Sequence, residues 1–169
     1  GDCIISNNNI TLASGFGAAT GIAATGDRVA ISGNRIISGG SVGKGIDFLG
    51  ATSISTSITN NTITTDGTGI EATCATSACS YLTVSGNNVT VTTSSATVYA
   101  LDVNTGAAVG FNFVSITGNI LARSADEGAA VNLVDIDAVM VSGNTFRNGT
   151  YGLVIDAGST EAVLGETAG

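Results

Sequence analysis

Hydrophobic and polar positions alternate along this chain in short runs of β-branched residues. The runs recur with the same ending: IISNN closes at Asn8, VAISGN at Asn34, SITNN at Asn61, LTVSGN at Asn87, VSITGN at Asn119 and VMVSGN at Asn144. Three positions before each Asn stands Ile5, Ile31, Ile58, Val84, Ile116 or Val141; two positions after it stands Ile10, Ile36, Ile63, Val89, Leu121 or Phe146. Alternation with period two and β-branched residues predicts a strand on each side of the Asn. A second apolar run follows in every unit, at Gly21-Ile22, Gly45-Ile46, Gly69-Ile70, Ala100-Leu101, Ala130-Val131 and Gly152-Leu153. It predicts a third strand. No stretch sustains a helical period.

The Asn positions are 26, 27, 26, 32 and 25 residues apart. A period of this size predicts stacked units, each one coil of a solenoid. Stacking puts equivalent residues about 4.8 Å apart. The six Asn residues Asn8, Asn34, Asn61, Asn87, Asn119 and Asn144 then form one corner repeated on six rungs. Their amides can bond along the stack as a ladder. Each Asn is itself expected to take the left-handed turn, which Asn and Gly tolerate best. The absence of proline agrees, because interior strands need every N–H.

Written out, V-x-I-S-G-N-x-I followed by G-I-x-L resembles the right-handed parallel β-helix repeat of the pectin-lyase-like superfamily, and most of all a bacteriophage tailspike or tail-fibre segment. The resemblance runs from Cys3 to about Leu164 and implies an all-β fold of about six coils. A leucine-rich repeat would need a Leu-bearing helix in each unit, where this chain has Gly, Ala, Ser and Thr. A β-sandwich is the remaining alternative, since short strands with turn signals also suit it. The repeat is already under way at Cys3, and Ala162-Val163-Leu164 starts a seventh coil with Thr167 at the Asn position. The expectation is therefore one β-helical domain over 1–169 that belongs to a longer chain.

Composition narrows the function classes. Thirteen acidic residues against five basic ones give a net charge of −8, with no basic cluster. That speaks against a nucleic-acid partner. No apolar run is long enough for a membrane span. The chain has no His, so the His-containing catalytic sets of polygalacturonases and alginate epimerases do not transfer. The scattered arginines Arg28, Arg35, Arg123 and Arg147 do not reproduce the lyase arrangement of an Arg base beside calcium-binding acids.

The candidate chemistry lies in the G-I-x motif, whose x side chain points outward. Ala23, Asp47, Glu71, Asp102, Asn132 and Val154 follow one another there. Asp47, Glu71 and Asp102 would form an acidic row on neighbouring rungs, at separations that glycosidases use for paired carboxylates. They are the candidate catalytic residues, with Glu71, flanked on both sides, expected to have the raised pKa. Asn132, Tyr99 and Arg35 are candidate substrate-binding residues. No metal site is assigned, although three carboxylates beside Asn132 leave calcium as an alternative; otherwise no cofactor is expected.

Cys3 takes a position that is apolar in other units and reads as core filler. Cys74 and Cys79, in CATSAC, read as a loop disulfide or as two free thiols. The longest unit is expected to carry a loop at NTGAAVGFNF, Asn104 to Phe113. Thr62-x-Thr64 and Thr90-x-Thr92 resemble fragments of the Thr arrays of ice-binding solenoids. The outward column Ile4, Ala30, Ser57, Thr83, Ser115 and Met140 is low in charge and suited to packing against a copy. The tailspike resemblance implies a homotrimer, a polysaccharide partner, and an extracellular or virion-tail location. A free lyase or hydrolase and a purely structural shaft or adhesin are the alternatives.

Overall fold

The computed structural model describes residues 2–13, 19–38, 43–50, 55–74, 79–105, 110–124, 127–156 and 161–164. They form nineteen strands. The first three coils are β1 (Asp2–Ser6), β2 (Asn9–Leu12), β3 (Ile22–Thr25); β4 (Arg28–Ser32), β5 (Arg35–Ser38), β6 (Ile46–Gly50); and β7 (Ser55–Thr59), β8 (Thr62–Thr65), β9 (Ile70–Cys74). The next three are β10 (Cys79–Ser85), β11 (Asn88–Val91), β12 (Leu101–Thr105); β13 (Phe111–Thr117), β14 (Ile120–Arg123), β15 (Ala129–Leu133); and β16 (Ala138–Ser142), β17 (Thr145–Arg147), β18 (Tyr151–Ile155). A last strand, β19 (Glu161–Leu164), pairs with β16.

Every pairing is parallel, and each strand pairs with its equivalent one coil away. The first strands of the coils make a seven-stranded sheet A, the second a six-stranded sheet B and the third a six-stranded sheet C. This is the expected parallel β-helix of about six coils. Pairing three strands on, rather than with the next strand in sequence, follows from the repeat, since only that register keeps all three apolar sets inside.

Three apolar stacks fill the interior. Sheet A contributes Ile31, Ile58, Val84 and Ile116; sheet B Ile36, Ile63, Val89 and Leu121; sheet C Ile46, Ile70, Leu101 and Val131; all are at most 1% exposed. Burial on that scale is worth about 1.5–3 kcal/mol per side chain. Glycine at the head of sheet C makes room for it. A Cβ on Gly45 would stand 2.4 Å from Ile63 Cγ2, and one on Gly69 would stand 2.2 Å from Val89 Cγ1. In both cases the obstacle is a branch at the β carbon. Ala100 occurs where the B-strand residue of the following coil is Leu121, which lacks that branch.

The ladder is present, with one correction. The left-handed residue is the one before the ladder Asn: Asn7, Gly33, Asn60, Gly86, Gly118 and Gly143 have φ between 56° and 65°. The ladder Asn itself has left that region. This division of labour explains the doubled ending Gly/Asn–Asn: the first residue turns the chain and the second supplies the amide. Asn87 Oδ1 accepts from the N–H of Asn61 and from its Nδ2, both at 2.9 Å. Asn87 Nδ2 donates to Asn119 Oδ1 at 3.0 Å and to the Ile58 carbonyl at 2.8 Å. The pattern repeats from Asn8 to Asn144, with ladder contacts of 2.9–3.0 Å. Asn34, Asn61, Asn87 and Asn119 are 1% exposed, a burial that an amide tolerates only when its bonds are made.

Cys74 and Cys79 are disulfide-bonded, fully buried, and tie the end of β9 to the start of β10. Cys3 is free, pairs in register with Val29 and packs against the core from a half-buried position. At the expected loop Asn104–Phe113, Asn104 and Thr105 end β12 and Phe111 to Phe113 open β13, while 106–109, where the loop would stand, lie outside the described residues. The insertion that lengthens this unit sits at the other corner. The connection 92–100 between β11 and β12 has nine residues, against four (66–69) in the previous coil. Thr64 pairs with Thr90 and Thr62 with Asn88, so the two Thr pairs are displaced by two residues and do not form an array. Thr167 lies outside the described residues.

Candidate functional site

Sheet C carries the acidic row. The ladder of pairs runs Ala23–Asp47–Glu71–Asp102–Asn132–Val154 without a slip. Alternation turns these side chains outward, because Ile46, Phe48, Ile70, Ala72, Leu101 and Val103 are buried on either side of them. Residues from six strands thus share one column, four of them polar: Asp47, Glu71, Asp102 and Asn132.

The row is not a set of bare carboxylates. Lys44, the single lysine of the chain, places Nζ 3.0 Å from Asp47 Oδ2 and 2.7 Å from Glu71 Oε1, bridging two rungs. The three side chains are 21–30% exposed. Burial works against the Lys44 charge, but hydrogen bonds and attraction to Glu71 and Asp47 outweigh it and raise the pKa above the usual lysine value. Asp102 is held by amides instead. Asn132 Nδ2 donates to Oδ1 at 3.0 Å, and Asn104 Nδ2 donates to Oδ2 at 3.1 Å. Thr73 donates in turn to Asn104 Oδ1 at 3.1 Å.

The carboxyl with a raised pKa is therefore Asp102, one rung beyond the expected Glu71. Burial is the main cause; the Glu71 charge adds to it, while the Asn132 and Asn104 bonds and Lys44 oppose it. Burial counts for more than charge crowding because Lys44 sits among the carboxylates and neutralises the crowding. Lys44 could have been found in the sequence: it stands three residues before Asp47, immediately ahead of the G-I motif.

The other candidate residues are dispersed. Asn132 joins the row. Arg35 lies on sheet B, a different face, where its Nη1 donates to Asn9 at 3.3 Å. Tyr99 lies at the corner between sheets B and C, where its carbonyl accepts from Gly69 N–H at 2.9 Å. Among the described residues no three acidic or cysteine side chains come together as a metal site, so the calcium alternative has no ligand set there.

Arg123, one of the four scattered arginines, is fully buried at the end of β14. Its column reads Leu12, Ser38, Thr65, Val91, Arg123. That is the inward side, as continuing the alternation four residues past the ladder Asn requires. Nη2 donates to the Ser95 carbonyl at 2.6 Å and Nη1 to the Ala129 carbonyl at 3.2 Å, while Nε has no partner. Gly128 leaves the space, since a Cβ there would stand 2.4 Å from Nη1. Burial lowers the Arg123 pKa, against the opposing influence of Tyr99 and Glu127. The guanidinium thus pins the long connection 92–100 to the following coil.

Outside sheet C the faces carry little charge. The sheet A column Ile4–Ala30–Ser57–Thr83–Ser115–Met140 is in register as expected. Beside it runs Ser6–Ser32–Thr59–Ser85–Thr117–Ser142. Tyr81 is 58% exposed on the same face and meets Phe113 at a ring-centre distance of 6.1 Å. No helix in the described residues is long and apolar enough to cross a membrane. Comparison with protein-family models, with curated proteins and with solved structures gave no match.

Proposed function

We propose that this chain is the β-helical segment of a tailspike- or fibre-like protein and recognises a surface polysaccharide along sheet C. The observation that carries the reading is the row itself. Asp47, Glu71, Asp102 and Asn132 are fixed in one column by register and by bonds to Lys44, Asn104 and Asn132. A preorganised line of donors and acceptors spends little entropy on meeting the hydroxyls of an extended glycan. The excess of carboxylates disfavours polyanionic glycans and favours neutral or amino-sugar chains.

Recognition without cleavage suits this network better than hydrolysis. Two carboxylates share Lys44 through one oxygen each, and both oxygens of the third accept from amides, so the row is tied to its neighbours rather than presented as a bare acid–base pair. The disulfide supports an extracellular or virion location, since such bonds persist in oxidising surroundings. The trimer of the tailspike resemblance is part of the proposal. The uncharged sheet A columns, with Ile4 and Met140 exposed, are the face it would use.

Screening the full chain against an array of surface polysaccharides, with a parallel assay for released reducing ends, separates the readings. Binding to neutral or amino-sugar glycans without release supports the proposal. Release of reducing ends makes it an enzyme, and binding to nothing on the array leaves a structural shaft.

A further inference from the structure

We propose that the long connection of the fourth coil forms a separate cleft for one or two neutral sugar residues. This deepens the glycan reading and rests on it. The cleft lies at the corner between sheets B and C, and has a volume of about 430 Å³. That falls within the range of about 300–1,000 Å³ usual for small-molecule sites. Its wall is made by Asp66, Thr92, Thr93, Ser94, Ser95 and Thr97, with Val98 as the one apolar residue.

The lining decides the ligand class. Among the described residues Val98 is the single apolar side chain of the lining, and the methyl groups of Thr92, Thr93 and Thr97 add small apolar patches of the kind a sugar C–H face meets. No cation lines the cleft, and Asp66 brings a negative charge, so a phosphate or a uronate is repelled. A single carboxylate does not make a site for a divalent cation. Five hydroxyls and one carboxylate suit a neutral polyol. Asp66 Oδ1 already accepts from the Thr92 hydroxyl, while Oδ2 makes no hydrogen bond among the described residues. The Ser94 hydroxyl is likewise unengaged among them, whereas Ser95 and Thr97 hydroxyls meet at 3.1 Å.

The cleft is also held in shape. Thr92 N–H donates to the Thr65 carbonyl at 2.8 Å. At the other end the Ser95 carbonyl accepts from buried Arg123 at 2.6 Å and from Val98 N–H at 3.3 Å. A nine-residue connection anchored at both ends can hold a binding cleft in shape on the coil scaffold.

Saturation-transfer NMR on the full chain tests this with glucose, galactose, mannose and N-acetylglucosamine as neutral probes and glucuronate as the anionic one. The expected result is transfer to at least one neutral sugar and none to glucuronate. Asp66→Ala should weaken that sugar at least tenfold, Ser94→Trp should abolish its binding, and Arg147→Ala, exposed on sheet B, should leave it unchanged. Melting curves verify the fold of each variant, and Asp66→Ala alone decides should Ser94→Trp fail to fold. No transfer to any neutral sugar, or equal transfer in parent and both cleft variants, overturns the inference. Polysaccharide binding that depends on Asp102 and Asn132 would survive that outcome, so the two proposals fail separately.

Discussion

The ladder asparagines show how much one amide can do when its surroundings are fixed. Asn87 uses both its carbonyl lone pairs and both its amide hydrogens, and does so at 1% exposure. Asn87→Ala strands donors on Asn61 and the acceptor's partner on Asn119. The cost should be about 3 kcal/mol, read from denaturant unfolding. Asn8 is exposed and sits at the end of the ladder, where its amide donates to Asn34. Asn8→Ala should cost under about 1 kcal/mol. Equal effects at the two positions would mean that the ladder bonds do not set the stability. The sequence displayed the ladder because six copies of one ending repeat it. It did not separate the turn residue from the ladder residue, since Asn suits both tasks and stands at both in SITNN.

The strands were legible because apolar residues every second position bury against one another only in one register, and that register also predicts the acidic column. The connections were not. Nothing in the composition of NTGAAVGFNF separates a loop from strand ends, and the true insertion, 92–100, resembles its neighbours in Ser and Thr content. Arg123 is the link between such a connection and the regular coils. Its guanidinium is buried and donates to two carbonyls, from Nη1 to Ala129 and from Nη2 to Ser95. Arg123→Ala should cost about 3 kcal/mol through the cavity and the lost bonds, and should speed hydrogen exchange in 92–100. Arg35→Ala, on the exposed face of sheet B, should change stability by less than about 0.5 kcal/mol. Similar costs for the two would contradict the anchoring role.

At the scale of the whole molecule, the coil register puts carboxylates on three successive rungs of sheet C. The raised pKa of Asp102 has a defined consequence. The folded state holds that proton more tightly than the unfolded chain, whose value is near 3.8. Ionised Asp102 therefore opposes folding once the pH exceeds its folded pKa, and the penalty fades as pH falls through that pKa toward 3.8. Asp102→Asn removes the titration. Melting temperatures taken across this window should move in the variant's favour as pH rises, whatever the offset between the two proteins; parallel profiles would contradict the buried carboxyl. Lys44 and Asn104 escaped a reading based on carboxylate spacing alone, because neither occupies the x position of the column. The central claim remains that this row, assembled from distant segments by the coil register, meets a glycan. The most direct measurement is the equilibrium affinity of the full chain for the best polysaccharide of the array, before and after the double substitution Asp102→Asn and Asn132→Ala. The account predicts at least a tenfold loss with the β-sheet spectrum intact; an unchanged affinity in a folded double variant would contradict it.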